Sequence, residues 1–148
     1  HIKSIIEQAK VVHIGMIDND RPYVVPMQYG FVFADGQLTL YVHCAKEGRK
    51  LDIIKKNPRV FIELETNVEI ISGGDIPCKY GSEYASVMGD GTAVFVEDVK
   101  EKILGLQLMM KTQSDRDFEI TEQMTKSVTV LRIDIPCVTA KSRTKAYS

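Results

Sequence analysis

The chain has 148 residues, a net charge of −1 and a hydrophobic content of 44%, as in an ordinary globular domain. This length predicts a single domain over residues 1–148. The near-neutral charge argues against broad nucleic-acid binding. No apolar run approaches the ~20 residues that span a bilayer, and no signal peptide is apparent. We therefore expect a cytoplasmic protein that binds neither nucleic acid nor membrane.

The cysteines predict neither disulfide bonds nor a metal site. Cys44, Cys78 and Cys137 are widely spaced and form no CxxC pair, which is typical of a reducing compartment. His13 and His43 offer further ligand atoms, but no pair among these residues has a recognisable metal-ligand spacing. We therefore expect no metal.

The first elements alternate between helical and strand patterns. Apolar residues at helical spacing predict a helix at Ile2–Lys10, and a strand follows at Val11–Ile17. Pro22–Phe33 is extended and apolar, and Pro26 within it marks a strand edge or a bulge because proline donates no ladder hydrogen bond. Backbone groups freed at a bulge can bind a planar heterocycle, although an irregular barrel corner is the simpler explanation. Asp35-Gly36 predicts a hairpin turn.

The strand that returns from this hairpin has two different faces. Residues 38, 40 and 42 are apolar and form a core face, whereas Tyr41 and His43 lie on the other face, which can line a site. The following amphipathic pattern predicts a helix that begins after Gly48 and ends at Lys56.

The start of this helix has the composition of a phosphate site. No Ser, Thr, Asp or Asn stands where a capping side chain is expected, and Lys46, Arg49 and Lys50 are spaced i, i+3, i+4. Positive side chains in a first turn oppose the helix dipole, which itself favours an anion there. The alternative is a set of solvated surface charges that Glu47 partly offsets.

The second half of the chain begins with two further strands. Arg59–Glu65 alternates as a strand, Asn67–Ser82 is predicted mainly as a loop, and Tyr84–Glu97 returns to strand. Gly89-Asp90-Gly91 predicts a bulge or bend in that strand, and its GxG pattern is too weak to indicate nucleotide binding.

The last elements are one long helix and two strands. A capping box formed by Asp98 and Glu101 opens the helix, and its apolar stripe extends to Met110, which we interpret as packing. Strands are predicted at Ser127–Ile135 and Cys137–Arg143. Six or seven mostly antiparallel strands with two or three helices predict a small β-barrel decorated by helices.

The sequence shows no self-contained catalytic constellation. His43 precedes Cys44, but adjacent strand residues face opposite ways and make a poor base–nucleophile pair. The acidic residues are scattered over turns and helix faces. This pattern favours a protein whose chemistry is carried by a bound cofactor.

Four segments together carry a family resemblance. They are Pro22-Tyr-Val-Val-Pro26, Tyr41-Val-His43-Cys-Ala with Gly48-Arg49-Lys50-Leu51, Asn57-Pro58-Arg59-Val60, and Tyr84-Ala-Ser86-Val87-Met-Gly89-Asp-Gly91. In this order they resemble the pyridoxamine 5'-phosphate oxidase-like flavin-binding split barrels, and most closely the nitroimidazole-resistance (Nim) branch. The similarity runs from about Ile14 to Leu108 and continues more loosely at Ala140–Arg143.

The resemblance implies a mainly β fold, a six-stranded antiparallel split barrel with two or three peripheral helices. It implies a homodimer with FMN at the subunit interface, and contacts from Arg49 and Lys50 to the FMN phosphate. Together with Lys46 from the cation cluster, the residues expected around FMN are Val25, Pro26, Met27, Tyr41, His43, Cys44, Ala45, Lys46, Arg49, Lys50, Tyr84, Ser86 and Val87. The resemblance also places His43 near the reactive end of the flavin, so His43 is the candidate catalytic residue.

The implied function is that of an FMN-binding oxidoreductase that reduces nitro-aromatic or other small electrophilic compounds. The alternatives are a non-catalytic flavin-binding or storage protein, and a related split barrel that binds haem or a deazaflavin. The substrate-phosphate arginines and histidine of a true pyridoxamine phosphate oxidase have only Lys141 and Arg143 in their place. This departure argues against oxidation of vitamin B6.

Overall fold

A computed structural model describes residues 1–143, which form eight strands and four α-helices. In chain order the elements are α1 (Ile2–Ala9), β1 (Val11–Asp18), β2 (Arg21–Gln28), β3 (Gly30–Ala34), β4 (Gln37–Cys44), α2 (Arg49–Lys56), β5 (Arg59–Ile71), β6 (Gly81–Phe95), α3 (Val99–Ser114), α4 (Glu122–Thr125), β7 (Thr129–Ile135) and β8 (Thr139–Arg143). A 3-10 helix at Pro77–Lys79 lies between β5 and β6. Within these residues, no helix has the length and apolar character needed to cross a membrane.

The strands form one antiparallel sheet in the order β2-β1-β5-β6-β7-β4-β3, and β8 pairs with β6. One edge of β6 pairs with β5. The opposite edge pairs with two strands, since Tyr84–Met88 pairs with β8 and Thr92–Phe95 pairs with β7. Gly89 lies at this division, where an added Cβ would come within 2.7 Å of the Cys137 carbonyl oxygen. The open antiparallel sheet confirms the predicted split-barrel class.

Residues 1–143 contain eight strands, whereas the sequence pattern predicted six or seven and the family resemblance implied six. One reason is that the extended Pro22–Phe33 segment breaks at Tyr29 into β2 and β3. Tyr29 is fully buried, and its hydroxyl donates a hydrogen bond to the Ile6 carbonyl oxygen of α1. This hydrogen bond fixes Tyr29 at the point where β2 ends and β3 begins. The short α4 also raises the number of α-helices to four.

Alternate residues of the strands build the barrel core. The large side chains that are fully buried include Ile14, Leu38, Leu40, Ile62, Leu64, Leu131, Ile133 and Ile135. α1 adds Ile6 and α2 adds Leu51 to the same cluster. Because successive side chains of a strand point to opposite faces, the other half of each strand remains on the outside of the sheet.

The predicted loop at Asn67–Ser82 is wrong at both of its ends. β5 continues to Ile71 and β6 already begins at Gly81, so the two strands form a long hairpin. Their register shifts after Thr66, where Asn67 adopts a left-handed φ of 57°. Beyond the shift the pairing resumes at Glu69, Ile70 and Ile71, and the two β-branched isoleucines favour strand structure.

A smaller prediction about β6 was wrong, whereas the predicted start of α3 is confirmed. Register between β5 and β6 is unbroken from Arg59 to Thr66, so the glycines at 89 and 91 mark no bulge. In α3, Asp98 accepts a hydrogen bond from the Glu101 N–H at 3.1 Å, as a capping box requires. The buried positions of this helix are Gly105 and Met109. Gly105 packs on the Tyr41 ring of β4, where an added Cβ would come within 2.7 Å of the ring, so a small residue is needed at position 105.

Candidate functional site

Arg49 at the start of α2 contacts the β1–β2 hairpin. Arg49 Nη2 lies 3.1 Å from Asp18 Oδ2, and the guanidinium carbon lies 4.2 Å from the centroid of the Tyr23 ring. Asp18 ends β1, and Tyr23 lies on β2 two residues before Val25. The structure therefore brings the predicted phosphate residue Arg49 next to the strand that carries the predicted ring contacts, residues 25–27.

The first turn of α2 is open to an anion. Gly48 is the N-cap residue, and no side chain caps the first N–H groups of the helix. Arg49 is 63% exposed, so the fork of donors beyond its Asp18 contact faces solvent. Asp52 is the acidic residue of this turn and offsets part of the positive potential.

Lys46 does not belong to the helical face on which it was predicted. Residues 45–48 are not helical, so the i, i+3, i+4 spacing from Lys46 to Arg49 and Lys50 is not a helical spacing. Lys46 is exposed in the loop before α2, where it adds positive charge.

Tyr41 and His43 lie on the same face of β4 but in different environments. Tyr41 is only 5% exposed, because its ring packs on Gly105 of α3 and its hydroxyl donates to Glu101 Oε2 at 2.9 Å. Burial, with the Glu101 hydrogen bond, raises the pKa of Tyr41 to about 12. His43 is exposed. The imidazole of His43 is thus accessible to a ligand, whereas α3 covers the Tyr41 side chain.

Cys44 and Ala45 complete the end of β4. Cys44 is half-buried against the barrel core, and this burial raises the pKa of its thiol, an effect that the nearby Lys50 partly opposes. A thiol with a raised pKa is a poor nucleophile. Ala45 is exposed and begins the loop that leads from β4 to α2.

The three predicted ring contacts alternate along β2. Val25 and Met27 are half-buried against the core, whereas Pro26 is exposed on the outer face and pairs with His13 of β1. β2 is an edge strand of the sheet, so the prediction that Pro26 marks a strand edge is confirmed. The register with β1 has no bulge at this proline.

The predicted residues of β6 lie elsewhere in the sheet. Val87 is fully buried in the core, and the nearly buried Ser86 hydroxyl donates to the Lys141 carbonyl oxygen at 3.3 Å. Tyr84 is half-buried and pairs with Arg143 of β8. Within the sheet, β7 separates β6 from β4, and β5 and β1 separate β6 from β2.

Comparison with known proteins agrees with this architecture. The sequence profile of a family described as pyridoxamine 5'-phosphate oxidase matches residues 1–142. The chain belongs to this oxidase-like family. No curated protein matches the chain.

Several solved structures have the same fold as this chain. A candidate 5-nitroimidazole antibiotic resistance protein from Bacteroides thetaiotaomicron is 29% identical, with a TM-score of 0.77 over 94% of this chain and 80% of that chain. An FAD-binding protein from Mesorhizobium loti is 20% identical, with a TM-score of 0.65 over 96% of this chain and 92% of that one. The flavocytochrome Anf3 from Azotobacter vinelandii is 18% identical, with a TM-score of 0.74 over 97% of this chain and 66% of that one.

Sequence reasoning missed a polar cluster on the outer face of this split barrel. His13 Nδ1 of β1 lies 3.1 Å from Glu63 Oε1 and 3.5 Å from Glu65 Oε2 on β5. Burial raises the pKa of Glu63 to about 7; the neighbouring Glu65 adds to the shift, and His13 opposes it. Alternation along β5 places both glutamates on one face, but only the β1–β5 pairing brings His13 to them.

A second missed group joins α3 to the sheet. Arg132 of β7 donates to Glu101 Oε2 at 2.8 Å and to Asp134 Oδ1 at 3.0 Å. The Arg132 hydrogen bond, followed by that from Tyr41, holds the pKa of Glu101 below its ordinary value. Because its polar groups are paired with one another, this network fixes α3 over Tyr41 and has a structural role.

Proposed function

We propose that this member of the family binds FMN and is an oxidoreductase that acts on nitro-aromatic or other small electrophilic compounds. The position of Arg49 is the observation that carries the proposal. Its guanidinium links the uncapped start of α2 to Tyr23 on β2, so phosphate donors and ring contacts share one neighbourhood. Arg49, Lys50 and the first N–H groups of α2 would hold the phosphate. Residues 25–27 would contact the ring.

The solved structures supply independent support for a flavin. The nitroimidazole description applies to the Bacteroides protein, and FAD binding is stated for the Mesorhizobium protein. The flavocytochrome shares the same fold, which favours a haem-binding barrel as the second candidate function. A flavin carrier without catalysis would use the same binding residues, and only turnover distinguishes it from the enzyme.

A second copy of the chain would complete the proposed site. Proteins of this family are typically dimers. Tyr84 and Ser86 are separated in the sheet from β2 and β4, so residues of a partner subunit offer the simplest way to unite the predicted groups. Ile17, Val24 and Phe61 are 42%, 59% and 43% exposed on the outer face of β1, β2 and β5, and such apolar exposure suits an interface. Light scattering that shows a stable monomer with full flavin content would contradict this dimer.

His43 is proposed as the proton donor of the site. Bound FMN would supply the electrons for reduction of the substrate. An exposed imidazole at the end of β4 can transfer a proton from a ring nitrogen to the reduced product. Its exposure also argues against the alternative of a histidine that only packs the strand end.

The visible absorption spectrum of the purified protein tests the cofactor first. Flavin bands support the proposal, whereas a haem spectrum without flavin supports the second candidate. Turnover of a nitro-aromatic compound with NAD(P)H is then compared between the parent protein and His43→Ala, with His1→Ala as the control. We expect unchanged flavin content and lost turnover only in His43→Ala. Unchanged turnover in His43→Ala would reject the proton-donor role, and no turnover in the flavin-loaded parent would favour the carrier.

A further inference from the structure

The cluster of His13, Glu63 and Glu65 on the outer sheet face has no role in the proposed flavin chemistry. Its three candidate ligand atoms, one imidazole nitrogen and two carboxylate oxygens, all lie within 4.8 Å of one another. The side chains are 40%, 33% and 34% exposed, so the cluster is partly enclosed but accessible from solvent.

The distances within the cluster correspond to those around a small divalent cation. Zn²⁺ binds imidazole nitrogen and carboxylate oxygen at about 2.0–2.2 Å, so two ligands of a tetrahedral ion lie roughly 3.4 Å apart. His13 Nδ1 lies 3.1 Å from Glu63 Oε1 and 3.5 Å from Glu65 Oε2. Both distances are close to the spacing of two ligands on one ion, and the third pair of ligand atoms lies within 4.8 Å.

The strand framework holds these ligands in position. His13 pairs directly with Glu63 across β1 and β5, and Glu65 follows two residues later on the same face. On their other edges β1 pairs with β2 and β5 pairs with β6, so both ligand strands lie inside the sheet. Ligands on such rigid elements are better positioned than ligands on loops.

One ligand atom of the cluster lacks a hydrogen-bond partner. Glu65 Oε2 is buried and accepts no hydrogen bond from residues 1–143. The ion pairs of both glutamates in the described part of the chain are formed with His13 alone. Among the described residues, this Glu65 oxygen is held only by the 3.5 Å ion pair with His13, and a buried acceptor without a hydrogen bond is costly. A divalent cation would coordinate the Glu65 oxygen and balance the negative charge of the carboxylates.

We propose that His13, Glu63 and Glu65 form a binding site for a divalent first-row transition metal of the zinc class. Imidazole together with carboxylates suits Zn²⁺, whereas Mg²⁺ and Ca²⁺ favour oxygen ligands alone. Three protein ligands leave a fourth position, which is open on the exposed side of the cluster in the single chain. None of its three ligands belongs to the expected FMN contacts, although His13 pairs with Pro26 and the cluster shares the outer face of β1 and β5 with the proposed dimer interface.

Calorimetric titration of the full chain with Zn²⁺, after removal of bound metals by a chelator, tests the site. We expect one Zn²⁺ per chain and a loss of affinity of about tenfold or more in His13→Ala, Glu63→Gln and Glu65→Gln. His43→Ala is the matched histidine control, and Glu69→Gln is the control for a glutamate on the same strand. Both controls should bind Zn²⁺ as the parent does.

Cobalt substitution distinguishes direct ligation from an indirect structural effect. The parent protein with Co²⁺ should show visible absorption without the strong bands of thiolate ligands, and Glu65→Gln should change that spectrum. Glu65→Gln is nearly isosteric and keeps the test available if His13→Ala fails to fold. Zn²⁺ binding weaker than about 1 mM in the parent would overturn the proposal. Affinity that is unchanged in Glu63→Gln and Glu65→Gln, or thiolate bands with Co²⁺, would also overturn it.

Discussion

Tyr41 and His43 are two residues apart on one face of β4, yet only one of them is available to a ligand. α3 covers Tyr41, and Glu101 accepts its hydroxyl hydrogen bond, so the side chain is part of the packed structure. His43 lies nearer the end of the strand and is exposed. The difference shows that a helix packed on the outer face of a sheet decides which residues of a strand face remain open.

The largest effect that separates the two residues should be on stability. Tyr41→Ala removes a buried ring and leaves a cavity under α3, and we expect a loss of about 3 kcal/mol in the free energy of unfolding. His43→Ala removes an exposed side chain and should change stability by less than about 0.5 kcal/mol. Urea unfolding of both variants measures this difference. Equal losses in the two variants would show that His43 is also a packing residue.

The next largest effect should be on FMN affinity, which depends on the cations at the start of α2, just beyond His43. Arg49→Ala removes a charge-assisted contact to the proposed FMN phosphate, and we expect FMN affinity to fall by roughly tenfold, which is about 1.4 kcal/mol. Lys50→Ala should act in the same direction. Lys56→Ala, at the other end of α2, is the matched control and should leave the affinity unchanged. A loss of the same size in all three variants would indicate a general charge effect and no phosphate site.

A smaller effect concerns stability at low pH, to which Glu101 contributes through its contacts with Tyr41 and Arg132. Because Arg132 and Tyr41 hydrogen bonds lower the pKa of Glu101 below its ordinary value of 4.5, the unfolded state takes up a proton at higher pH than the folded state. This contribution to stability is present above about pH 4.5 and is lost as the pH falls through the folded pKa. Glu101→Gln should therefore flatten the decrease in unfolding free energy below that pH.

The exposed Glu97 provides the control for this acid effect. Glu97→Gln should retain the pH dependence of the parent protein when unfolding is measured from pH 6 to pH 3 (a range of roughly three units around the ordinary carboxyl value). An unchanged slope in Glu101→Gln would mean that the Arg132 contact does not stabilise the fold through the charge of Glu101.

Local patterns were sufficient to predict most elements of the fold. The Asp35-Gly36 turn occurs between β3 and β4 as expected, since both residues adopt positive φ angles of 55° and 76°. The predicted helix after Gly48 ends at Lys56 as in α2. These features depend on residues close together in the chain, so a single sequence contains the information that specifies them.

The errors arise where distant segments meet. Alternation along β4 gave Tyr41 and His43 the same face, but the sequence did not show that α3 lies over only one of them. The cluster of His13 with Glu63 was missed for a similar reason, because strand register between β1 and β5 joins residues fifty positions apart. Loop 67–82 was misjudged because pairing between β5 and β6 extended strand structure past a register shift.

The most direct test of the proposed site is calorimetric comparison of FMN and riboflavin. These ligands share the ring and differ in the phosphate, so the ratio of their affinities isolates the contribution of the α2 start with Arg49 and Lys50. Two charge-assisted hydrogen bonds of about 1.5–3 kcal/mol each predict that FMN binds at least a hundredfold more tightly than riboflavin. Equal affinities for the two ligands would contradict the assignment of the α2 start as the phosphate site.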